Sequence, residues 1–169
     1  MPLRRLIFLS SLVLAVAALS PAAALGAAKG TDRPLSGTVT ASTIDNFSTG
    51  TSTADGTFLF THLGKGTFHE DTTAGTTTGN TFTFTGTATY VAANGDQLFA
   101  TITATGTFTG SNVVTKVSTI TGGTGRFANA SGTFTTHERV VFGSAVFVPG
   151  VGLIVRNTFT GTVEGQISY

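Results

Sequence analysis

The sequence contains no cysteine and no tryptophan, one methionine, and only 10% charged residues. Without cysteine there is no disulfide, no thiolate metal site and no cysteine nucleophile. Scarce charge with no Lys/Arg run removes the electrostatic footprint of a nucleic-acid partner. Helical periodicity is also nearly missing, and no Gly-x-Ser-x-Gly elbow or P-loop ending is present. What remains is a chain rich in Thr, Gly and Phe, with Thr alone about a fifth of the residues. Such β-branched chains suit a pleated surface.

The first residues stand apart. Arg4 and Arg5 precede an apolar stretch from Leu6 to Leu19, broken by Pro21 and followed by small residues such as Ala22, Ala24, Gly26 and Ala28. This is the tripartite pattern of a Sec-type signal peptide, expected over residues 1–28 with cleavage near 24–28. The apolar stretch is shorter than the roughly 20 residues a spanning helix needs, so no membrane span is expected after its removal. The expected product is a secreted or periplasmic single domain over residues 29–169. Removing Arg4 and Arg5 from the 9 basic residues leaves 7 against 8 acidic ones, a net charge of −1.

The organising signal is a period of two. Phe82, Phe84, Gly86, Ala88 and Tyr90 alternate with Thr81, Thr83, Thr85, Thr87 and Thr89, so one face is apolar and the other hydroxylic. Leu98 to Phe108 repeats the pattern, and Asn94-Gly95 between them marks a hairpin turn. Further strands are expected over roughly 35–42, 57–63, 66–73, 113–121, 131–142 and 153–168. Loops are expected over 43–56 and 74–79, and "GSAVFVPGVG" (143–152) reads as a turn with an extra strand edge. About eight strands joined by short connections imply antiparallel pairing, and glycines on the apolar face permit the bends that closure needs. The expected fold is all-β, a single antiparallel eight-stranded β-barrel.

The stretch "TITGGTGRFANASGTFT" (119–135) matches the loose dinucleotide fingerprint through Gly123, Gly125 and Ala128. A pyrophosphate site needs a helix after the glycines. Here Phe134, Thr136, Glu138, Val140 and Phe142 alternate with their neighbours instead, which is a strand. No cofactor is expected. The same residues, Gly122, Gly123, Gly125, Phe127 and Gly132, resemble the strand–GGTGxF–xxxxG–strand signature of the allene oxide cyclase and dirigent families. Segments 62–68, 93–99 and 122–134 are also similar to a group of secreted bacterial proteins. The resemblance implies a calycin-type barrel with an apolar interior, action on small hydrophobic molecules, and homo-oligomers. It carries no cavity residue of the plant enzymes onto this chain. Physically, the glycines allow a tight reversal, Phe127 plugs one barrel end and Gly132 admits a close backbone approach.

With so few charges, polar residues on the apolar face stand out. Extending the alternation from Phe58 and Phe60 places His62 there, from Phe68 places Glu70, and from Phe134 places Glu138. Tyr90 and Asn157 follow from Phe84 and Phe159. His62, Glu70, Tyr90 and Glu138 are the candidate acid/base set, with carboxyl pKa values raised by desolvation; strand ends open to solvent would equally place them there. Phe58, Phe60, Phe82, Phe84 and Ile102 are the expected lining of a ligand cavity. His69-Glu70-Asp71 does not suggest a metal, because neighbours on a strand point to opposite faces.

Two functions follow as expectations. One is a barrel that binds a small hydrophobic molecule, with a cyclase or other isomerase as its enzymatic form. The other is a non-catalytic structural or surface protein whose barrel is filled by its own side chains. The C-terminal Phe159, Val163, Ile167 and Tyr169 are similar to an outer-membrane assembly signal, but no Trp and 2 Tyr leave the aromatic girdles of such a barrel unfilled. Thr-x-Thr repeats without a solenoid period do not build the flat ladder of an ice-binding surface.

Overall fold

In the computed structural model, residues 30–108 and 112–169 are described; the segment read as a signal peptide lies outside them. Eight strands follow in chain order: β1 Asp32–Asn46, β2 Thr51–Phe60, β3 Gly64–Thr78, β4 Thr81–Val91, β5 Gln97–Thr107, β6 Val113–Gly123, β7 Ser131–Val148 and β8 Gly152–Ser168. Each pairs antiparallel with the next, and β8 closes on β1 from Asp32↔Ser168 to Asn46↔Ile154. The expected eight-stranded antiparallel barrel is what the chain forms.

Alternation explains the layers. Inward positions carry Val39, Phe58, Phe68, Tyr90, Ile102, Phe134 and Val163, all buried, while the Thr between them faces outward. The Asn94-Gly95 hairpin turn is present, with Gly95 at φ 86°. Gly122, Gly125 and Gly132 take φ of 130°, 53° and 133°, so the glycine cluster is a corner between β6 and β7. A single 3-10 turn, Gly125–Phe127, fills it, and Phe127 is 0% exposed.

Three expectations about boundaries need correction. The segment 43–56 is the end of β1 and the start of β2, closed by a turn at 47–50. The segment 74–79 is mostly β3, with a bulge between Ala74 and Thr77. Hydroxyl-rich composition suits loops, yet Thr pairs well across strands. Finally, 143–152 is no simple turn: β7 runs to Val148 and β8 begins at Gly152, making a long hairpin around Pro149-Gly150.

The strand connections sort the barrel into two ends. The β2–β3, β4–β5 and β6–β7 turns lie at one end, together with Gly30 and the terminal Tyr169. Phe127 and Leu63, both fully buried, plug it. The β1–β2, β3–β4, β5–β6 and β7–β8 connections lie at the other end, which is open.

Candidate functional site

From the plugged end upward, the barrel is packed with rings. Tyr90 lies 5.7 Å from Phe58, Phe60 and Phe134 and 5.6 Å from Phe68. Above this cluster the packing stops at a layer of charge. Lys116 on β6 places Nζ 2.7 and 2.8 Å from the two oxygens of Glu70 on β3, and 2.6 Å from Glu138 Oε1 on β7. The Tyr90 hydroxyl donates to Glu70 Oε1 at 3.3 Å.

The local sequence builds this layer by register. Val114 pairs with Glu138 and Lys116 with Thr136, so Lys116 and Glu138 are diagonal neighbours on one face. Glu70 belongs to a strand separated from β6 by β4 and β5, and the lysine chain must cross the interior to reach it. Small residues on the intervening strands, Ala88, Ala100 and Ala104, leave room for that crossing. The Phe159 ring lies 5.2 Å from Nζ, adding a cation–π contact to the two ion pairs.

Lys116 is 2% exposed, and Glu70 and Glu138 are buried with it. Burial disfavours its ammonium, but Glu70, Glu138 and Tyr90 more than offset that and hold its pKa above the ordinary value. Tyr90 is pushed up by burial and then by Glu70, so it stays a neutral donor. Burial raises the Glu138 carboxyl, Glu70 adds to the rise, and Lys116 opposes it. Two carboxylates on one ammonium would bury a net negative charge, which is costly. That cost is what raises the Glu138 pKa.

Above the charged layer lies a cup of about 300 Å³. Glu70, Glu138 and Phe159 contribute to its lining, with Phe82, Phe84 and Phe108 among its aromatic walls. Phe82 packs 6.2 Å from Phe84 and 4.5 Å from Phe108. Polar groups stand on the β1, β2 and β8 side, where Asp45 accepts from both Ser52 and Asn157. Two buried oxygens of cup-lining residues, Thr43 Oγ1 and Glu138 Oε1, make no aligned hydrogen bond; the Lys116 ammonium is close to the second but poorly directed.

The sequence candidates therefore divide. Glu70, Tyr90 and Glu138 meet in one buried cluster, and Asn157 faces the same cup. His62 does not. It sits at φ 71° in the β2–β3 turn, exposed, with Nε2 3.1 Å from the Pro34 carbonyl. The strand ends at Phe60, so the alternation that placed His62 inward stops before reaching it; Leu63 turns inward instead. The expected ligand lining is corrected likewise. Phe82 and Phe84 line the cup, whereas Phe58, Phe60 and Ile102 are consumed by the packed half. Alternation carries no signal for Lys116, although its ammonium joins Glu70 and Glu138.

On the outside, His69 contacts Asp55 at 2.7 Å and Asp71 at 3.4 Å. The hydrogen bond with Asp55 raises its pKa, with burial opposing. Glu70 points the opposite way, into the barrel. Among the described residues no group of three or more His, Cys, Asp and Glu is placed to hold a metal ion.

No protein-family model, curated protein or solved structure matches this chain.

Proposed function

We propose that this protein binds a small hydrophobic molecule in the open half of its barrel. The observation that carries the reading is the pairing of aromatic walls with a buried oxygen that has no hydrogen bond, Thr43 Oγ1, and with the ion-paired Glu138 carboxyl, on residues facing one cup. Buried polar atoms are ordinarily hydrogen-bonded, so Thr43 Oγ1 asks for a polar group delivered from the cup. The fitting ligand is an apolar body carrying one hydrogen-bonding group, entering that group first. A volume of about 300 Å³ lies at the small end of ligand pockets. The signal-peptide pattern supports an exported protein meeting this ligand outside the cytoplasm.

A second, catalytic reading rests on Glu138. A carboxyl whose pKa is raised by burial and that faces a cup is suited to exchange a proton with a bound molecule, which supports an isomerase or cyclase. Conversion of a polyunsaturated epoxide above background, lost in Glu138→Gln, would support it; no conversion across a substrate panel removes it.

Binding is tested with a neutral naphthyl ketone fluorophore, whose emission shifts blue in an apolar site. Saturable one-to-one uptake is expected. Ala74 lies on the cup wall and is exposed, so Ala74→Trp can fill the space without disturbing the packed half. It should weaken uptake at least tenfold, since displaced aromatic contact of this size is worth upward of about 1.4 kcal/mol. Non-saturable uptake, or uptake indifferent to Ala74→Trp, would sink the reading.

A further inference from the structure

The two ends of the barrel differ in charge as sharply as in packing. Around the plugged end stand Asp32, Arg33, His62, Lys65, Asp96 and Arg126. At the open end the turns 47–50, 79–80 and 149–151 and the described residues Phe108 and Asn112 carry no charge, and the nearby Asp45 is tied up by Ser52 and Asn157. Exposed apolar side chains crowd there instead: Phe47, Phe108, Phe142, Val146, Phe147 and Val151, with Phe147 71% exposed.

The β7–β8 hairpin extends beyond the β6 pairing of β7, with its β8 arm bonded to the β1–β2 turn through Phe47 N–H to the Leu153 carbonyl and Leu153 N–H to Ser48 Oγ. From Arg139 to Val163 the only charged residues are Arg139 and Arg156. Its two faces are both apolar, because Phe147 and Val146 are neighbours on a strand and both are exposed. A flat protein partner would cover one face. A ribbon apolar on both faces and at its tip suits a medium that surrounds it. On its β6 side β7 is paired up to Val140, whose N–H donates to the Asn112 carbonyl, and no described strand lies beside its upper part beyond that. This free edge argues for a headgroup-level position, where water still reaches the backbone, and against the hydrocarbon centre.

We infer that the open end is a lipid-docking surface, which seats the Phe147–Val151 tip in the headgroup–acyl boundary of an anionic bilayer. Amphipathic helices that lie in this boundary bury their apolar face about 5–10 Å, a depth the apolar tip residues could reach. Exposed Arg156 lies four residues back from Gly152, roughly 13 Å along the strand, where anionic headgroups would meet it. Phe47 and Phe108, on separate connections around the same mouth, widen the contact; a strand added to β7 by a second copy would leave both uncovered. The cup would then open toward the acyl chains. The docking surface stands on exposure and charge alone, so it survives if the cup proves to bind nothing.

The chain has no tryptophan, so Phe147→Trp supplies a single local reporter. Vesicles of phosphatidylglycerol and phosphatidylcholine, with bromine on the acyl chains, should quench it strongly. Lys65→Trp, exposed near the plugged end, should stay unquenched. Quenching at both positions, or at Lys65→Trp alone, would mean attachment by another part of the chain and would overturn the proposal. Phe147→Asp with Val151→Asp should lower vesicle partitioning at least tenfold, and Arg156→Gln about fivefold on anionic vesicles only. Absence of Phe147→Trp quenching overturns it as well. So does sedimentation showing a lipid-free dimer abolished by the double aspartate variant, because a second copy would then be the occupant.

Discussion

The lower and upper halves of this barrel share the same eight strands and differ in what those strands point inward. Below the Glu70–Lys116–Glu138 layer, large rings pack in edge-to-face, tilted and stacked pairs and leave no room; Phe60, Tyr90 and Phe134 are all in mutual contact. Above it, Ala54, Val114 and half-buried Phe82 and Phe84 line an open cup. The charged layer is the boundary, and it faces two ways. Its underside is sealed by Tyr90 and its upper side exposes Glu138 to the cup. Stability is thus concentrated in one half, and the other is free to be shaped by a ligand, a common division where binding surfaces are drawn from the less stable end of a fold.

The sharpest way to break that boundary is to remove its cation. Lys116→Met leaves two buried carboxyls without their partner, and orphaning a buried charge costs about 3–5 kcal/mol. The deficit should be read by urea unfolding at several pH values. Carboxyls buried without a cation have raised folded pKa values. Their contribution is intact below the unfolded value of about 4.3 and is lost as pH rises through the folded ones. The deficit is therefore expected to be large at pH 7 and to shrink toward pH 4. A pH-independent deficit would show that lost packing of the lysine chain, rather than charge, is what the variant reports.

That boundary was only partly legible in the sequence. Strict alternation in β4 and β5, with Asn94-Gly95 between them, was enough for the hairpin and for the barrel built around it. It was enough for Glu70, Tyr90 and Glu138 because each shares parity with a nearby buried Phe or Ala. Lys116 had no such signal. Val113 and Val117 stand on one parity of β6, Val114 and Ile120 on the other, and only closure shows that the second pair faces inward. His62 failed for the opposite reason, a parity carried past the end of its strand. The division of Phe residues between the packed half and the cup depends on height along the barrel, which alternation does not encode. The tip of the β7–β8 hairpin is apolar on both parities, so no face could be assigned there.

The second contrast sets one aromatic from each half against the other. Phe134 is 1% exposed among Phe60 and Tyr90, and its truncation to Ala should cost about 3–5 kcal/mol, the range for a ring lost from a close-packed core. Phe84→Ala should cost about 1 kcal/mol, because one side of that ring already faces open space. Thermal or urea midpoints of the two variants give the difference directly. The same pair should reverse in the fluorophore assay, with Phe84→Ala altering affinity and Phe134→Ala leaving it unchanged under folded conditions. Equal stability losses would mean that the cup is collapsed in solution and the halves are not distinct.

The smallest effect tests the proton on the boundary. If burial keeps Glu138 protonated, Glu138→Gln replaces one neutral hydrogen-bonding group by another of similar shape. Lys116 retains both oxygens of Glu70, so the change near pH 4.5 should stay within about 1 kcal/mol. The informative quantity is the slope. The folded pKa of Glu138 lies above its ordinary value of 4.5. Its stability contribution is therefore whole below 4.5 and declines as pH climbs toward the folded pKa. Glutamine cannot titrate, so wild type and variant should coincide at low pH and separate upward from 4.5, with the variant gaining relative to wild type. Parallel curves across that window would place the proton elsewhere in the layer. A variant losing ground as pH rises would show that Glu138 is the ionised partner and that Lys116 depends on it.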